Sequence, residues 1–266
     1  MREPNALASG LSGRDFYAAK FRSELDRETE WLRRTARLKA DSIEALLRSA
    51  GVAPRSVLEV GAGTGAVIGE LRHRGIGTAH FAVDFSPDAV AMLERTQPGV
   101  QAATADVTAT PDPLGNGHYD LAFATHVVEH LEEPEAFLSA LLDVPTDHFI
   151  AEVPLENLLL GQLKALVKDR SNHTAGHVQF FDRQSFEALL ERSGWRVVAS
   201  RSYAPYLDAE TFAFAYGQAG RVRRAAKWLT EYALPPILGS AWTSLYHAHH
   251  AALCVKAEQA PSHPAR

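Results

Sequence analysis

Three groups of residues have the types and spacing to do chemistry. Glu59-Val-Gly61-Ala-Gly63-Thr-Gly65 sets a carboxylate beside glycines, which let a backbone approach a ligand closely and take positive φ. Two single acids follow, Asp84 and Asp106, and then His126-Val-Val-Glu129-His130. Gly61, Gly63 and Ala66 satisfy the G-x-G-x-x-G/A dinucleotide pattern, with Asp84 about 20 residues on, where a ribose-binding acid belongs. Glu59 argues for a different ligand, because a carboxylate beside the loop suits an ammonium group better than a pyrophosphate. Asp106 offers a second acceptor, suited to an adenine amine. His126 has the side chain of a general base, since imidazole titrates near neutrality.

The remaining histidines raise the question of metal. His173 and His177 stand four apart, and His247, His249 and His250 form a tight group. Gly176 argues against a regular helix under the first pair, and no cysteine or carboxylate set converges in sequence. No metal site is therefore expected. His177 is expected in a lid over the acceptor, as a second candidate base, and His130 as a packing or capping residue.

The elements that must position these residues alternate in period. Residues 15–49 carry a helical pattern through Leu25, Leu32, Ala36, Ile43 and Leu47, stopped by Gly51 and Pro54. Short β-type runs then alternate with helices: strands at 56–60, 79–83, 100–105, 119–124 and 148–153, with Pro87 and Pro134 opening two of the helices. That alternation predicts a parallel sheet with both faces covered. An apolar helix is expected around Leu158–Leu166, another helix after Asp182, and two more strands at 195–202 and 251–256. The intervening residues hold aromatics (Tyr203, Tyr206, Phe212, Phe214, Tyr216) and a basic run (Arg221, Arg223, Arg224, Lys227), too much for a plain hairpin. The expected division is a helical extension over 1–50, a main domain over 51–257 with a cap inserted at 203–247, and a loose tail over 258–266.

Leu-Glu59-Val-Gly-Ala-Gly-Thr-Gly, Val-Asp84-Phe-Ser-Pro, Ala-Asp106-Val and His126-Val-Val-Glu129-His130-Leu, at these spacings, make residues 56–155 resemble class I S-adenosylmethionine-dependent methyltransferases. The likeness is looser through about residue 202, where His177-Val-Gln-Phe-Phe is similar to a segment of small-molecule members. The resemblance implies a Rossmann-like α/β fold: seven strands, mostly parallel, with one antiparallel near the C-terminal end and flanking helices. It implies that Gly61, Gly63 and Gly65 line the methionine part of the cofactor and that Glu59 holds its amino group. Asp84 would take both ribose hydroxyls, Phe85 lie on adenine, Asp106 and the Val107 amide meet the adenine edge, and Thr125 and His126 face the sulfonium. His126-Val-Val-Glu stands where nucleic-acid adenine methylases carry an Asn-Pro-Pro-Tyr type tetrad, which argues against a DNA-methylating role.

Composition bounds the rest. A chain of 266 residues with 46% hydrophobic residues has material for a sizeable core and is too apolar for a disordered protein. A net charge of −5 speaks against a general nucleic-acid partner. One cysteine, Cys254, and no apolar N-terminal segment fit a cytoplasmic protein. The expected activity is methyl transfer from S-adenosylmethionine to a small-molecule acceptor, oxygen before nitrogen, in specialised or natural-product metabolism, leaving S-adenosylhomocysteine. Tyr17, Tyr203, Tyr206 and Phe212 are the expected acceptor contacts. An NAD-dependent oxidoreductase and a non-catalytic S-adenosylmethionine-binding module are the rivals. The basic run with Trp228 and Leu229 permits contact with an anionic membrane surface, but four basic residues are weak for anchoring and a pocket cap is preferred. The oligomeric state is left open.

Overall fold

The computed structural model describes residues 13–156, 176–239, 241–242 and 248–257, with the backbone alone for 13–22. Seven strands form one sheet: β1 (Ser56–Val60), β2 (Ala79–Asp84), β3 (Gln101–Thr104), β4 (Tyr119–Thr125), β5 (Thr146–Leu155), β6 (Trp195–Tyr203) and β7 (Ala248–Lys256). Their order is β3-β2-β1-β4-β5-β7-β6, parallel throughout except that β7 runs antiparallel to both neighbours. The expected sheet is thus found, with β5 and β7 longer than the sequence pattern indicated. β1 is buried on both faces after its first residue, as a central parallel strand must be.

Alternation along β1 divides the core. Leu58 and Val60 face one layer with Phe81, Tyr119, Phe149, Phe186 and Trp195. Val57 faces the other with Ile43, Ile68, Leu71, Leu121 and Phe123. The second layer is closed by α1 (Gly13–Ala50), α2 (Ala66–His73) and α3 (Pro87–Thr96); the first by α4 (Pro134–Ala140) and α5 (Arg183–Arg192). Local chemistry sets the helix starts. Ser86 accepts from the Ala89 amide ahead of Pro87, and Asp182 and Ser185 form a reciprocal capping box before α5.

α1 departs from expectation. It is kinked at Glu24 (φ −137°, ψ 28°), and from Ala36 onward it packs on the sheet face and is no separate extension. The apolar face at Ala36, Ala40, Ile43 and Leu47 was legible; that its partner is the sheet was not. Residues 36–50 thereby share the main domain's core. The cap carries α6 (Ala209–Tyr216), α7 (Arg221–Lys227), a π-helical turn (Trp228–Ala233) and α8 (Leu234–Leu238). Tyr203, assigned to the cap from sequence, is the last residue of β6 and pairs with His249. The helix expected around 158–166 lies outside the described residues.

Candidate active site

The strand order reverses between β1 and β4, the place where open α/β sheets bind ligands beyond the carboxyl ends of their strands. The glycine loop stands there. Gly61, Gly63 and Gly65 have φ of 70°, 54° and 74°, a left-handed region costly for any residue with a Cβ. Space is short as well: a Cβ on Gly61 would lie 2.5 Å from Val127 Cγ2, so the loop is pressed against the residue after His126. The Thr64 hydroxyl in this loop is buried without a hydrogen-bond partner among the described residues.

Two buried carboxylates flank the loop. Glu59 accepts from the Ile68 amide of α2 at 3.0 Å, and burial pushes its pKa up to about 8 against the opposing charge of Lys39. Asp84 accepts from the Gly63 amide at 2.7 Å through one oxygen and from the Ser86 amide at 2.9 Å through the other. Its position is fixed at both oxygens, so it serves the loop and the start of α3 together. Phe85 follows it, half-buried. Asp106 closes a turn on itself, its Oδ1 accepting from the Thr108 amide at 3.0 Å and hydroxyl at 2.7 Å, and Val107 is buried.

At the end of β4, Thr125 is buried and His126 takes φ 58°, the one non-glycine positive φ among the described residues. Such a backbone costs on the order of 1–3 kcal/mol and collects at functional positions. The bond from the His126 amide to the Glu152 carbonyl, 2.9 Å, holds it there. Its ring lies between two buried acids. Nδ1 is 3.1 Å from Glu129 Oε1, and Nε2 is 3.5 Å from Glu152 Oε1 and 3.3 Å from His249 Nδ1. Burial would raise both carboxyls, but the histidine charges outweigh it: Glu129 is held down at about 2 by His126 and His130, and Glu152 well below the usual range by His126 and His249. Burial, reinforced by His126, pushes His249 down to about 4, so its imidazole is neutral at physiological pH. The Tyr203 hydroxyl donates to Glu152 Oε1 at 2.8 Å, and its own ionisation is pushed up by burial and by that carboxylate.

His177, the other candidate base, joins this wall from the far side. Its Nδ1 lies 2.7 Å from Glu156 Oε2, and its ring meets that of His130 at 4.8 Å between centroids. His130 is buried, as expected of a packing residue, and burial pushes it down to about 4. His173 and His247 lie outside the described residues. The expected group at 247–250 splits by strand alternation: His249 enters the site, while His250 bonds Ser202 and Glu187 on the opposite side.

The expected aromatic acceptor box does not form as one unit. Tyr203 belongs to the histidine–carboxylate group, whereas Phe212 lines a cavity of about 500 Å³ in the cap with Arg221, Arg224, Trp228 and Tyr232. Tyr206 stacks on Tyr232 at 5.8 Å and is exposed, and Phe214 sits under Arg34 of α1. The division follows from β6 running one residue further than the pattern suggested. The side chain of Tyr17 lies outside the described residues. Sequence reasoning missed Glu152 and Glu156, and set His249 aside with its group. Glu152 had left a signal, being a lone acid inside the apolar run Phe149–Leu155.

A sheet of this order, with acids and glycines at the ends of β1 and β2, defines a Rossmann-like S-adenosylmethionine-dependent methyltransferase of class I. Residues 28–200 match the methyltransferase domain family, and the chain belongs to it. Among curated proteins it is 28% identical over 205 residues to the malonyl-[acyl-carrier protein] O-methyltransferase of Geobacter sulfurreducens, covering 73% of this chain and 70% of that one. Among solved structures, the magnesium protoporphyrin IX methyltransferase of Synechocystis PCC 6803, crystallised with bound S-adenosylhomocysteine, aligns at a TM-score of 0.59 and 16% identity over 92% of this chain and 100% of that one. The plantazolicin methyltransferase aligns at 0.54 and 16% identity, over 91% of each chain. The cofactor is S-adenosylmethionine, and the residues present fit it. The loop takes positive φ at three glycines, the buried Thr64 hydroxyl has no hydrogen-bond partner among the described residues, and a buried acid at Glu59 is suited to an ammonium group.

Proposed function

We propose that the enzyme methylates a small-molecule acceptor, at oxygen in preference to nitrogen, in specialised metabolism. The observation that carries this reading is His126 at the end of β4, 20% exposed and backed by the buried Glu129 carboxylate. An imidazole held at Nδ1 by a carboxylate keeps Nε2 as its basic nitrogen, here shared with Glu152 and His249. The Geobacter relative, an O-methyltransferase, supports oxygen over nitrogen.

In this proposal Gly61, Gly63 and Gly65 line the methionine part, and Glu59 takes its ammonium. Asp84, oriented by two backbone donors, takes the ribose hydroxyls; Phe85 lies on adenine, and Asp106 with the Val107 amide meets its edge. Thr125 and His126 face the sulfonium, which when bound supplies an electrophilic methyl carbon. An acceptor oxygen aligned with it would take the methyl as the carbon–sulfur bond breaks, its electron pair left on sulfur, giving S-adenosylhomocysteine. The acceptor's proton passes to Nε2 of His126 or, if the acceptor lies toward the other wall, to His177. A carboxylate acceptor has no proton to lose. Phe212 and Tyr206, from the cap, shape the acceptor's outer side. The main work of the chain is alignment of nucleophile, methyl and sulfur.

His126→Ala is expected to cut turnover by roughly 10²–10⁴ while leaving cofactor affinity nearly intact. Turnover is followed by mass spectrometry as a methyl-sized gain across hydroxyl, carboxyl and amine metabolites. Cofactor affinity falling in step with turnover would make His126 a binding residue, and methyl gain confined to amines would reverse the preference for oxygen.

A further inference from the structure

Glu152 and His249 have no role in the reaction above, yet they meet His126 at the end of β4. Nε2 of His126, Nδ1 of His249 and Oε1 of Glu152 stand 3.3, 3.5 and 3.6 Å apart, a nearly equilateral triangle. Three ligands of a tetrahedral ion, each bound at about 2.1 Å, stand roughly 3.4 Å from one another. We propose that His126, Glu152 and His249 bind a divalent first-row transition metal ion of the zinc type.

A plain hydrogen-bonded cluster accounts for less of what is seen. One proton satisfies the two facing ring nitrogens, and Tyr203 satisfies Oε1 of Glu152, but Oε2 of Glu152 is buried with no hydrogen-bond partner among the described residues. A buried carboxylate oxygen in that condition is expensive, and a cation beside it removes the cost. The ligands are rigidly mounted on neighbouring strands. Thr125 pairs with Glu152, Glu152 with Ala251, and His249 with both Pro154 and Tyr203. The His126 backbone N–H donates a hydrogen bond to the Glu152 carbonyl, which holds the residue at its positive φ. Two imidazoles and one carboxylate select zinc, iron(II) or manganese over the all-oxygen sites of calcium and magnesium. Lys39 opposes a cation here, since its charge reaches His249, but the buried Glu129 and Glu152 outnumber it. Tyr203, 3.2 Å from His249 Nδ1, stands at the fourth side or orients Glu152 through its hydrogen bond.

The consequence rests on the reading of this wall as the acceptor side. An ion there would take up Nε2 of His126 and favour an oxyanion on the acceptor, leaving the acceptor's proton to His177, the other base proposed above. Metal binding itself is read without turnover. Full-length protein stripped with chelator is titrated with zinc chloride by calorimetry, and with cobalt(II), whose visible absorption reports a tetrahedral nitrogen–oxygen set. Expected are one site per chain, a tetrahedral cobalt spectrum, and affinity lowered by more than about 100-fold in His249→Ala and Glu152→Gln. S-adenosylmethionine affinity, measured in parallel, is expected to be kept in both variants, which separates loss of the metal site from loss of the fold or of the cofactor reading. If a variant misfolds, the wild-type cobalt spectrum decides, and an octahedral spectrum would overturn the proposal. So would a stripped wild type that takes up no metal, or loss of the ion in His177→Ala with retention in His249→Ala, which would give it to the adjoining Glu129–His130–His177 group.

Discussion

Glu59 is a carboxyl that burial keeps protonated at neutral pH, with a pKa of about 8, in a place where the proposed role needs it ionised. Cofactor binding at pH 7 should therefore release up to about one proton as the ammonium arrives. Calorimetry in buffers of different ionisation enthalpy measures this, and Glu59→Gln should abolish the buffer dependence and weaken binding. The same shift has a stability sign. The native state holds a proton that the unfolded chain has given up above its ordinary value of 4.5, so wild-type stability falls as pH rises from about 4.5 to about 8. Glu59→Gln removes that slope, which thermal unfolding across the interval would show; an unchanged slope would mean that Glu59 is ionised in the free enzyme. Residues of this kind were legible because loop punctuation locates them: an acid before three alternating glycines, and an acid at the end of β2. The meeting of Glu152 with His249 was not. Both lie in apolar strand runs, and their meeting depends on cross-strand register between β5 and β7, nearly a hundred residues apart in the chain.

At the level of elements, the β1–α2 turn and the end of β4 are one packed unit, since Gly61 has no room for a Cβ beside Val127. Gly61→Ala should destabilise the protein by about 1–3 kcal/mol and lower both cofactor affinity and turnover, because it pushes the neighbour of His126. Adding Val127→Ala should recover part of that loss in thermal denaturation; strict additivity would show the two elements to be independent. The strands were readable from sequence because each is a short β-rich run between glycines, prolines or helix caps. The placement of α1 was less legible. Its apolar spacing defines a buried face but not what covers it, and only the structure sets Ile43 against the sheet layer holding Val57 and Leu121. The strand β6 likewise absorbed Tyr203, because pairing with His249 extends the ladder beyond the alternating pattern.

For the molecule as a whole, the cap is an insertion into a β-hairpin: Tyr203 and His249 are paired, with the helices α6 to α8 looping out between them. Replacing 205–247 with a short turn should therefore leave a folded sheet that binds S-adenosylmethionine and has lost methyl transfer to its acceptor. Loss of cofactor binding in that variant would show the cap to be part of the cofactor site. Among the described residues no helix is long and apolar enough to cross a membrane. The exposed Val222, Trp228 and Leu229 lie beside the basic α7, yet Arg221, Arg224 and Trp228 also line the cap cavity and Lys227 pairs with Glu231. We expect sedimentation with anionic vesicles to show no salt-sensitive binding; binding abolished by Arg223→Glu with Lys227→Glu would make the cap a membrane contact instead. The central claim is that the cleft over β1 and β2 recognises S-adenosylmethionine through its own acids. Titrating wild type and Asp84→Ala with S-adenosylmethionine and with NAD in the same calorimeter tests it most directly. The expected result is binding of S-adenosylmethionine alone, weakened by about 2–3 kcal/mol in Asp84→Ala as charge-assisted hydrogen bonds are lost. Equal affinity in the two proteins, or a preference for NAD, would contradict it.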